Sequence, residues 1–241
     1  MIDAMPRGSY LRGMSDWIGI IEDKNGVRGW GFRGDTVVSE ATGLTADAIL
    51  ADLGEADVIA VAPSRQVASV PAKLAPAGAF VDLQDGTSRL PAPQRLQLLG
   101  FQTDHADWDG VALILTGSHS YWCLLSAREL VGFQTFLTPR LIHALACPDG
   151  ASPGALAETL SRPERLAAHL AASEADPAAQ TGHLIGAEMG AARAWWLGQQ
   201  VAILSDTPLS QSYAEGLRAQ GVPVTLHDDP SPRGLIALRT A

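Results

Sequence analysis

The sequence predicts an α/β protein built from two similar lobes, each a mixed sheet flanked by helices, facing one another across a cleft. Three observations predict this. An order of three strands followed by a helix occurs twice along the 241 residues. Strands and helices then alternate in the second half, the pattern of a sheet covered by helices. A hydrophobic content of 46% with 18% charged residues is that of a chain with a large buried core.

The first series begins with an apolar strand at 17–22 and a second strand at 27–32, joined through Asp23-Lys24-Asn25-Gly26. Asn-Gly between two apolar runs is a strong hairpin signal. Arg33-Gly34-Asp35 turns the chain into a third strand at 36–40. Thr45 is placed to cap a helix over 46–53, and a strand follows at 58–62. The stretch 64–93, rich in Pro, Ala and Gly, reads as loops with short elements. The second series runs through strands at 111–115, 122–125 and 130–136 to a helix at 139–146. Helices at 154–174 and 178–199, a strand at 201–204, a helix at 209–220 ended by Gly221, a strand at 224–226 and a helix at 232–239 complete the reading. The lobes divide as 1–110 and 111–241.

A net charge of −9 with no run of Lys and Arg offers nothing to a polyanion, so nucleic acid is not an expected partner. The apolar runs are strand-sized, which argues against a membrane span, and residues 1–13 carry two Arg without the apolar block of a secretion signal. Cys123 and Cys147, the only cysteines, read as small apolar residues in a reducing compartment. A cytoplasmic protein is expected. The six histidines show no metal-ligand spacing, and no metal site is assigned.

Gly29-Trp30-Gly31-Phe32-Arg33-Gly34 has the spacing of a dinucleotide fingerprint. That motif needs a helix N-terminus directly after it, whereas Thr36-Val37-Val38 continues as strand, so these read as strand and turn glycines. A sharper signal is Leu115-Thr116-Gly117-Ser118-His119-Ser120-Tyr121-Trp122, followed by Phe133-Gln134-Thr135-Phe136-Leu137-Thr138. A Gly-Ser turn between strands can present N–H groups and hydroxyls to a phosphate; it can equally be a plain hairpin.

At these residues the chain resembles the 2-dehydro-3-deoxygalactonokinase family. The segment 117–122 with 133–138 is similar to that family's second phosphate motif, Gly-Thr-His-Ser-Lys-Trp, and its Phe-x-Thr-Phe-Met-Thr-like strand. Ser64-Arg65-Gln66, Gln97-Leu98-Leu99-Gly100 and Leu184-Ile185-Gly186-Ala187-Glu188 resemble three further family segments in the same order. The resemblance implies two ribonuclease-H-like lobes, the actin-like ATPase fold shared with hexokinases and heat-shock ATPases. It implies ATP and Mg²⁺ as cofactors and a small-molecule sugar acid, 2-dehydro-3-deoxy-D-galactonate or a relative, as phosphate acceptor. A homodimer is an allowed assembly.

The resemblance assigns Lys24, Gly117, Ser118, His119 and Ser120 to nucleotide phosphates, Gly186 and Glu188 to the adenosine side, and Ser64, Arg65 and Gln66 to substrate. Arg65 can grip a sugar-acid carboxylate through two parallel hydrogen bonds, or be an ordinary surface residue after Pro63. His119 reads as a structural hydrogen-bonding residue.

The chain departs from the family where its chemistry is most demanding. Ile21 stands at the usual Asp of the first phosphate loop, Asp23 at its Gly and Lys24 at its Thr. Glu22 would point to the opposite strand face. Gln94 and Arg95 replace an acidic pair, and Tyr121 replaces a Lys. An aliphatic side chain cannot hold a hydrated cation. The catalytic residues are therefore left unassigned, and a non-catalytic sugar-acid or nucleotide-binding protein with a regulatory role is the alternative to a kinase.

Overall fold

The structure, a computed structural model, describes residues 15–24, 26–205 and 207–241. The reading of residues 1–13 as lacking a secretion signal lies outside the described residues, as does Asn25 of the first hairpin turn.

The first sheet contains β1 (Trp17–Asp23), β2 (Gly26–Arg33), β3 (Thr36–Gly43) and β4 (Asp57–Val61), in the order β3-β2-β1-β4. β1, β2 and β3 form an antiparallel meander, and β4 returns parallel to β1 through α1 (Ala46–Leu53). Thr45 caps α1 as its sequence predicts, its Oγ1 accepting the Ala48 N–H at 3.3 Å. Period-2 alternation divides β1 between two cores. Ile18 and Ile20 pack with Ile49 and Leu53 of α1, while Trp17 and Ile21 face the molecular centre. Gly29 and Gly31 lie within β2 and Gly34 takes φ +56° in the β2–β3 turn, so the fingerprint-like glycines are strand and turn residues.

The second sheet repeats the order. Its strands β9 (Gly110–Leu115), β10 (Ser120–Ser126) and β11 (Glu129–Phe136) form an antiparallel meander, with β12 (Val201–Leu204) parallel to β9 and β13 (Val224–His227) parallel to β12. β9 and β12 are buried at every position, as strands covered on both faces require. Between the meander and β12 lie α3 (Thr138–Ala144), α4 (Pro153–Ser161), α5 (Leu166–Ala172), α6 (Pro177–Ala191) and α7 (Arg193–Trp196); α8 (Leu209–Ala219) joins β12 to β13. The reading of 154–174 and 178–199 as two helices is refined here, since Pro163 and the 191–193 junction interrupt them. The duplicated strand order is the two-lobed α/β fold expected.

The loop-like stretch contains β5 (Val67–Ser69), β6 (Ala72–Lys73), β7 (Asp82–Asp85) and β8 (Ser88–Leu90). β5, β7 and β8 make a small sheet, while β6 pairs with β11 and so extends the second sheet from the N-terminal half of the chain.

Between the two large sheets lie α2 (Ala92–Asp104) and α9 (Ser231–Thr240). The sequence reading assigned no helix at α2. Ten consecutive residues from Ala92 to Phe101 are buried, among them Gln94, Arg95 and Gln97, so no amphipathic stripe marks it. The close approach of α2 and α9 depends on glycine: a Cβ at Gly100 would strike the Pro230 carbonyl, and one at Gly234 the Leu96 carbonyl. Leu235 of α9 fills the space above Gly19, so the end of the chain returns to the first sheet.

Candidate functional site

In each repeat the hairpin between the first two meander strands points into the cleft. The β1–β2 turn brings Asp23 and Lys24, and the β9–β10 turn brings Thr116, Gly117, Ser118 and His119. Two adjoining recesses result, sharing Asp23, Gln94 and Thr116. The smaller, about 320 Å³, is lined by Ile21, Arg28, Gln97, Gly117 and Thr207 among others. The larger, about 630 Å³, is lined by Lys24, Ser64, Asp82, Arg89, His119, Tyr121, Gln134 and Thr135 among others.

The floor of the larger recess is organised by Asp82, which is 1% exposed. Its Oδ1 accepts the N–H groups of Ser64 and Ala92, each at 2.8 Å, and its Oδ2 accepts Arg89 Nε at 2.7 Å. A buried carboxylate is tolerable only when fully hydrogen-bonded, and this one joins the loop after β4, the β7–β8 hairpin and the start of α2. Arg89 also donates to the Ser64 carbonyl. The cleft arginine beside Ser64 is therefore Arg89. Arg65 and Gln66 are exposed and outside the lining of both recesses; the Gln66 N–H donates to Ser64 Oγ at 3.1 Å. Of the expected substrate residues Ser64, Arg65 and Gln66, it is Ser64 that lines a recess.

In the β9–β10 turn, Thr116 Oγ1 accepts the His119 N–H at 2.9 Å and, at 3.4 Å, the Ser118 N–H. His119 Nδ1 lies 2.8 Å from Ser118 Oγ. Burial first, then Lys24 and Arg140, lowers the His119 pKa below its ordinary value. Tyr121 is pushed above the usual phenol range, chiefly by burial and further by Cys123, Asp23 and Asp82.

Three expected site residues lie behind the wall of the cleft. Ser120 is fully buried and donates to Glu188 Oε1 at 2.7 Å. Glu188 also accepts Trp122 Nε1 at 2.8 Å and Tyr213 OH at 2.9 Å. Burial raises its pKa, while hydrogen bonds from Thr138, Ser120, Trp122 and Tyr213 oppose the rise. Gly186 faces α4, where a Cβ would strike the Leu156 carbonyl. With Gly182 and Gly190 it forms a strip along α6 that admits α4 and the turn at Pro163. Ser120 and Glu188, expected at the nucleotide, thus belong to a buried network, and Gly186 to the packing of α4 on α6. Lys24, Ser64, Ser118 and His119 do share one recess, and Gly117 lines the other.

Arg95 and Gln94, at the expected acidic pair, take different roles. Arg95 is 2% exposed and its guanidinium donates to the carbonyls of Leu74, Val81 and Lys73 at 3.0, 2.9 and 2.9 Å, 4.7 Å above the Phe80 ring. Burial lowers its pKa to about 10, which leaves it charged at neutral pH. It clamps the segment around β6. Gln94 lines both recesses.

Sequence reasoning missed Asp82, Thr87, Ser88 and Arg89, which fell in the stretch read as loops. Gln134 and Thr135 were visible in the motif strand but were given no role.

The fold is the two-lobed α/β fold of actin-like ATPases and sugar kinases. Residues 147–238 match the family model described as 2-keto-3-deoxy-galactonokinase. A candidate 2-dehydro-3-deoxygalactonokinase from Sinorhizobium meliloti superposes with a TM-score of 0.77 at 20% identity, covering 93% of this chain and 98% of that one. The resemblance to 2-dehydro-3-deoxygalactonokinases therefore holds in the sequence of the C-terminal part and in the fold of nearly the whole chain. The activator of the 2-hydroxyisocaproyl-CoA dehydratase from Clostridium difficile, solved with bound ADPNP, superposes with a TM-score of 0.54 at 12% identity, over 92% of this chain and 91% of that one. Component A of the Acidaminococcus fermentans (R)-2-hydroxyglutaryl-CoA dehydratase does so with 0.53 at 10% identity, over 92% and 95%. No curated protein matches the sequence. Among the described residues no helix is long and apolar enough to cross a membrane.

Proposed function

We propose that the chain is a sugar-acid kinase of low turnover, acting in the cytoplasm on 2-dehydro-3-deoxy-D-galactonate or a close relative, with its lobes divided near residue 110. The observation that carries this reading is the meeting of the two repeat hairpins: Ile21 and Asp23 from one, and Thr116 and Gly117 from the other, line a single recess. In a duplicated fold this is where a phosphate chain would lie across both lobes. The larger recess, with Ser64, Arg89, Gln134 and Thr135, takes the sugar acid. Arg89, with Nε donating to Asp82 and Nη2 to the Ser64 carbonyl, offers its remaining N–H groups to the substrate carboxylate as charge-assisted donors.

ATP and Mg²⁺ are tested by the donor set. Ile21 is 4% exposed and apolar. Asp23, two residues on, occupies the same face of β1 and borders both recesses. One carboxylate suits Mg²⁺, which keeps water and phosphate oxygens as its other ligands. Asp23 would hold the ion, with Lys24, Gly117 and Ser118 near the phosphates. Bound Mg-ATP would supply the phosphoryl group and neutralise the charge that develops on it.

Low turnover follows from the loop chemistry. The carboxylate stands two positions from its place in the family, and Thr116 Oγ1 engages the N–H groups of Ser118 and His119. Calorimetric titration with Mg-ATP, and separately with the keto-deoxy acid, tests the reading. Heat from both supports it. Heat from the acid alone moves the protein to the non-catalytic binding alternative, and heat from neither removes it.

A further inference from the structure

Remote from the cleft, three helices bring together side chains that are far apart in sequence. Glu158 lies on α4, His169 on α5 and His183 on α6, and one potential ligand atom from each lies within 4.8 Å of those of the other two. Both imidazoles are buried, at 7% and 5% exposure, while the Glu158 side chain is 62% exposed at the mouth.

We propose that Glu158, His169 and His183 form a binding site for a divalent transition metal of the zinc type, with water completing its coordination. Two imidazole nitrogens with one carboxylate oxygen form a zinc ligand set, whereas Mg²⁺ and Ca²⁺ prefer oxygen alone.

The hydrogen bonding around the rings favours this set. Thr159 Oγ1 lies 2.6 Å from His169 Nδ1 and 2.8 Å from His183 Nδ1. A hydroxyl has two lone pairs and one proton. It can hold both rings in the same tautomer only by accepting an Nδ1–H from each, which leaves Nε2 of both rings unprotonated. Metal-ligating histidines are commonly oriented in this way, by a hydrogen bond from the nitrogen that does not bind the metal. Without a metal, the single hydroxyl proton can also point at one ring, so the ion selects the tautomer pair.

The gap between His169 and Glu158 agrees. Nε2 and Oε1 are 3.6 Å apart, too far for a hydrogen bond. Two ligands of one tetrahedral ion, each about 2.0–2.2 Å from it, stand roughly 3.3–3.6 Å apart. The ion would join α5 to α4 and α6 on the outer side of the second sheet. None of the three residues lines either recess, so the site is independent of the proposed kinase function.

The test is calorimetric titration of the untagged, chelator-treated full chain with Zn²⁺, together with visible absorption on adding Co²⁺. Saturable binding of one Zn²⁺ per chain is expected, with tetrahedral cobalt bands that Zn²⁺ displaces and no response to Mg²⁺. Glu158→Gln, at an exposed position that does not endanger the fold, should weaken Zn²⁺ binding at least about tenfold, and His183→Gln more. Circular dichroism checks that each variant is folded, and Glu158→Gln decides the matter if His183→Gln does not fold. The absence of saturable Zn²⁺ binding, or an affinity unchanged in Glu158→Gln, would overturn the proposal.

Discussion

Arg89 Nε donates to Asp82 Oδ2 at 2.7 Å, so the arginine that borders the larger recess is held by a carboxylate that is itself buried. The same carboxylate accepts the Ser64 N–H, and Arg89 donates to the Ser64 carbonyl. The result is a corner in which two hydrogen bonds hold the guanidinium, on a side chain that is 47% exposed, at the edge of the larger recess.

Arg89→Ala should therefore weaken binding of the keto-deoxy acid by roughly 1.5–3 kcal/mol, the scale of a hydrogen bond to a charged group. Arg65→Ala should leave it within about 0.5 kcal/mol, as for an exposed residue away from such features. Calorimetry on the two variants measures both. Equal losses, or a loss confined to Arg65→Ala, would return the substrate role to Arg65. Asp82→Asn should lower stability to urea by about 1–3 kcal/mol, because the amide cannot accept from all of Ser64, Ala92 and Arg89, while the 47% exposed Arg89 side chain stays in reach of water.

Wild-type turnover, read by coupled ADP release, should fall below the usual enzyme range of about 1–10³ per second. Asp23→Asn should lower the residual rate a further 10²–10³-fold, roughly the effect of removing one electrostatic group at the transferring phosphate. A rate indifferent to Asp23→Asn would exclude this carboxylate from Mg²⁺ binding. Ile21→Asp restores the family's acid but buries a second carboxylate near the first. Tighter Mg-ATP binding is expected from it, together with lower stability.

Gly186→Ala and Glu188→Ala separate packing from nucleotide contact. A Cβ at Gly186 would press on the Leu156 carbonyl, and overpacking of this kind costs about 1–3 kcal/mol. Glu188→Ala would leave the Ser120, Trp122 and Tyr213 donors without their acceptor, at roughly 1–3 kcal/mol for each unsatisfied group. Urea unfolding should show both losses. Mg-ATP affinity of folded Gly186→Ala should be unchanged; a specific loss of affinity would restore the adenosine-side assignment.

Stability should decline as pH falls below about 6.5, the ordinary histidine value. Burial is the largest cause lowering the pKa of His119 and of His227. A base whose pKa is depressed on folding binds its proton more readily when unfolded, so stability is fully present above the unfolded value and is lost as pH drops toward the folded one. Urea midpoints between pH 7.5 and 5 read this effect, and His119→Asn should flatten the slope. An unchanged slope would mean that His119 titrates alike in both states.

Much of the fold was legible because local signals agreed with tertiary demands. β9 and β12 are buried on both faces and read as continuous apolar runs; α1 has its capping Thr45; Asn25-Gly26 announces the first hairpin. The helix α2 was not legible, since polar residues share its buried positions and erase the periodic stripe. In the site, Gly117 and Ser118 stood out as a small-residue turn between strands, and Lys24 and His119 through the family resemblance. Asp82 and Arg89 did not, because an Asp and an Arg seven residues apart in an irregular stretch reveal no pairing until the β7–β8 hairpin folds them together.

The sequence by itself determined the repeated order of strands and helices and the family resemblance, because periodicity, turn residues and caps act over a few residues of chain. Only the tertiary structure decided which polar residues face the cleft. Gly186 and Glu188 carry a family-like motif yet point into helix packing and a buried network. Arg65 has the right chemistry but lines neither recess, while Arg89, whose side chain is 47% exposed, is tied to the edge of the larger one by Asp82. The helical bundle likewise gathers Glu158, His169 and His183 around Thr159 from separations that no motif spacing would join. Side-chain direction is set by which face of each element is buried against its neighbours, and that choice exists only once the elements have packed.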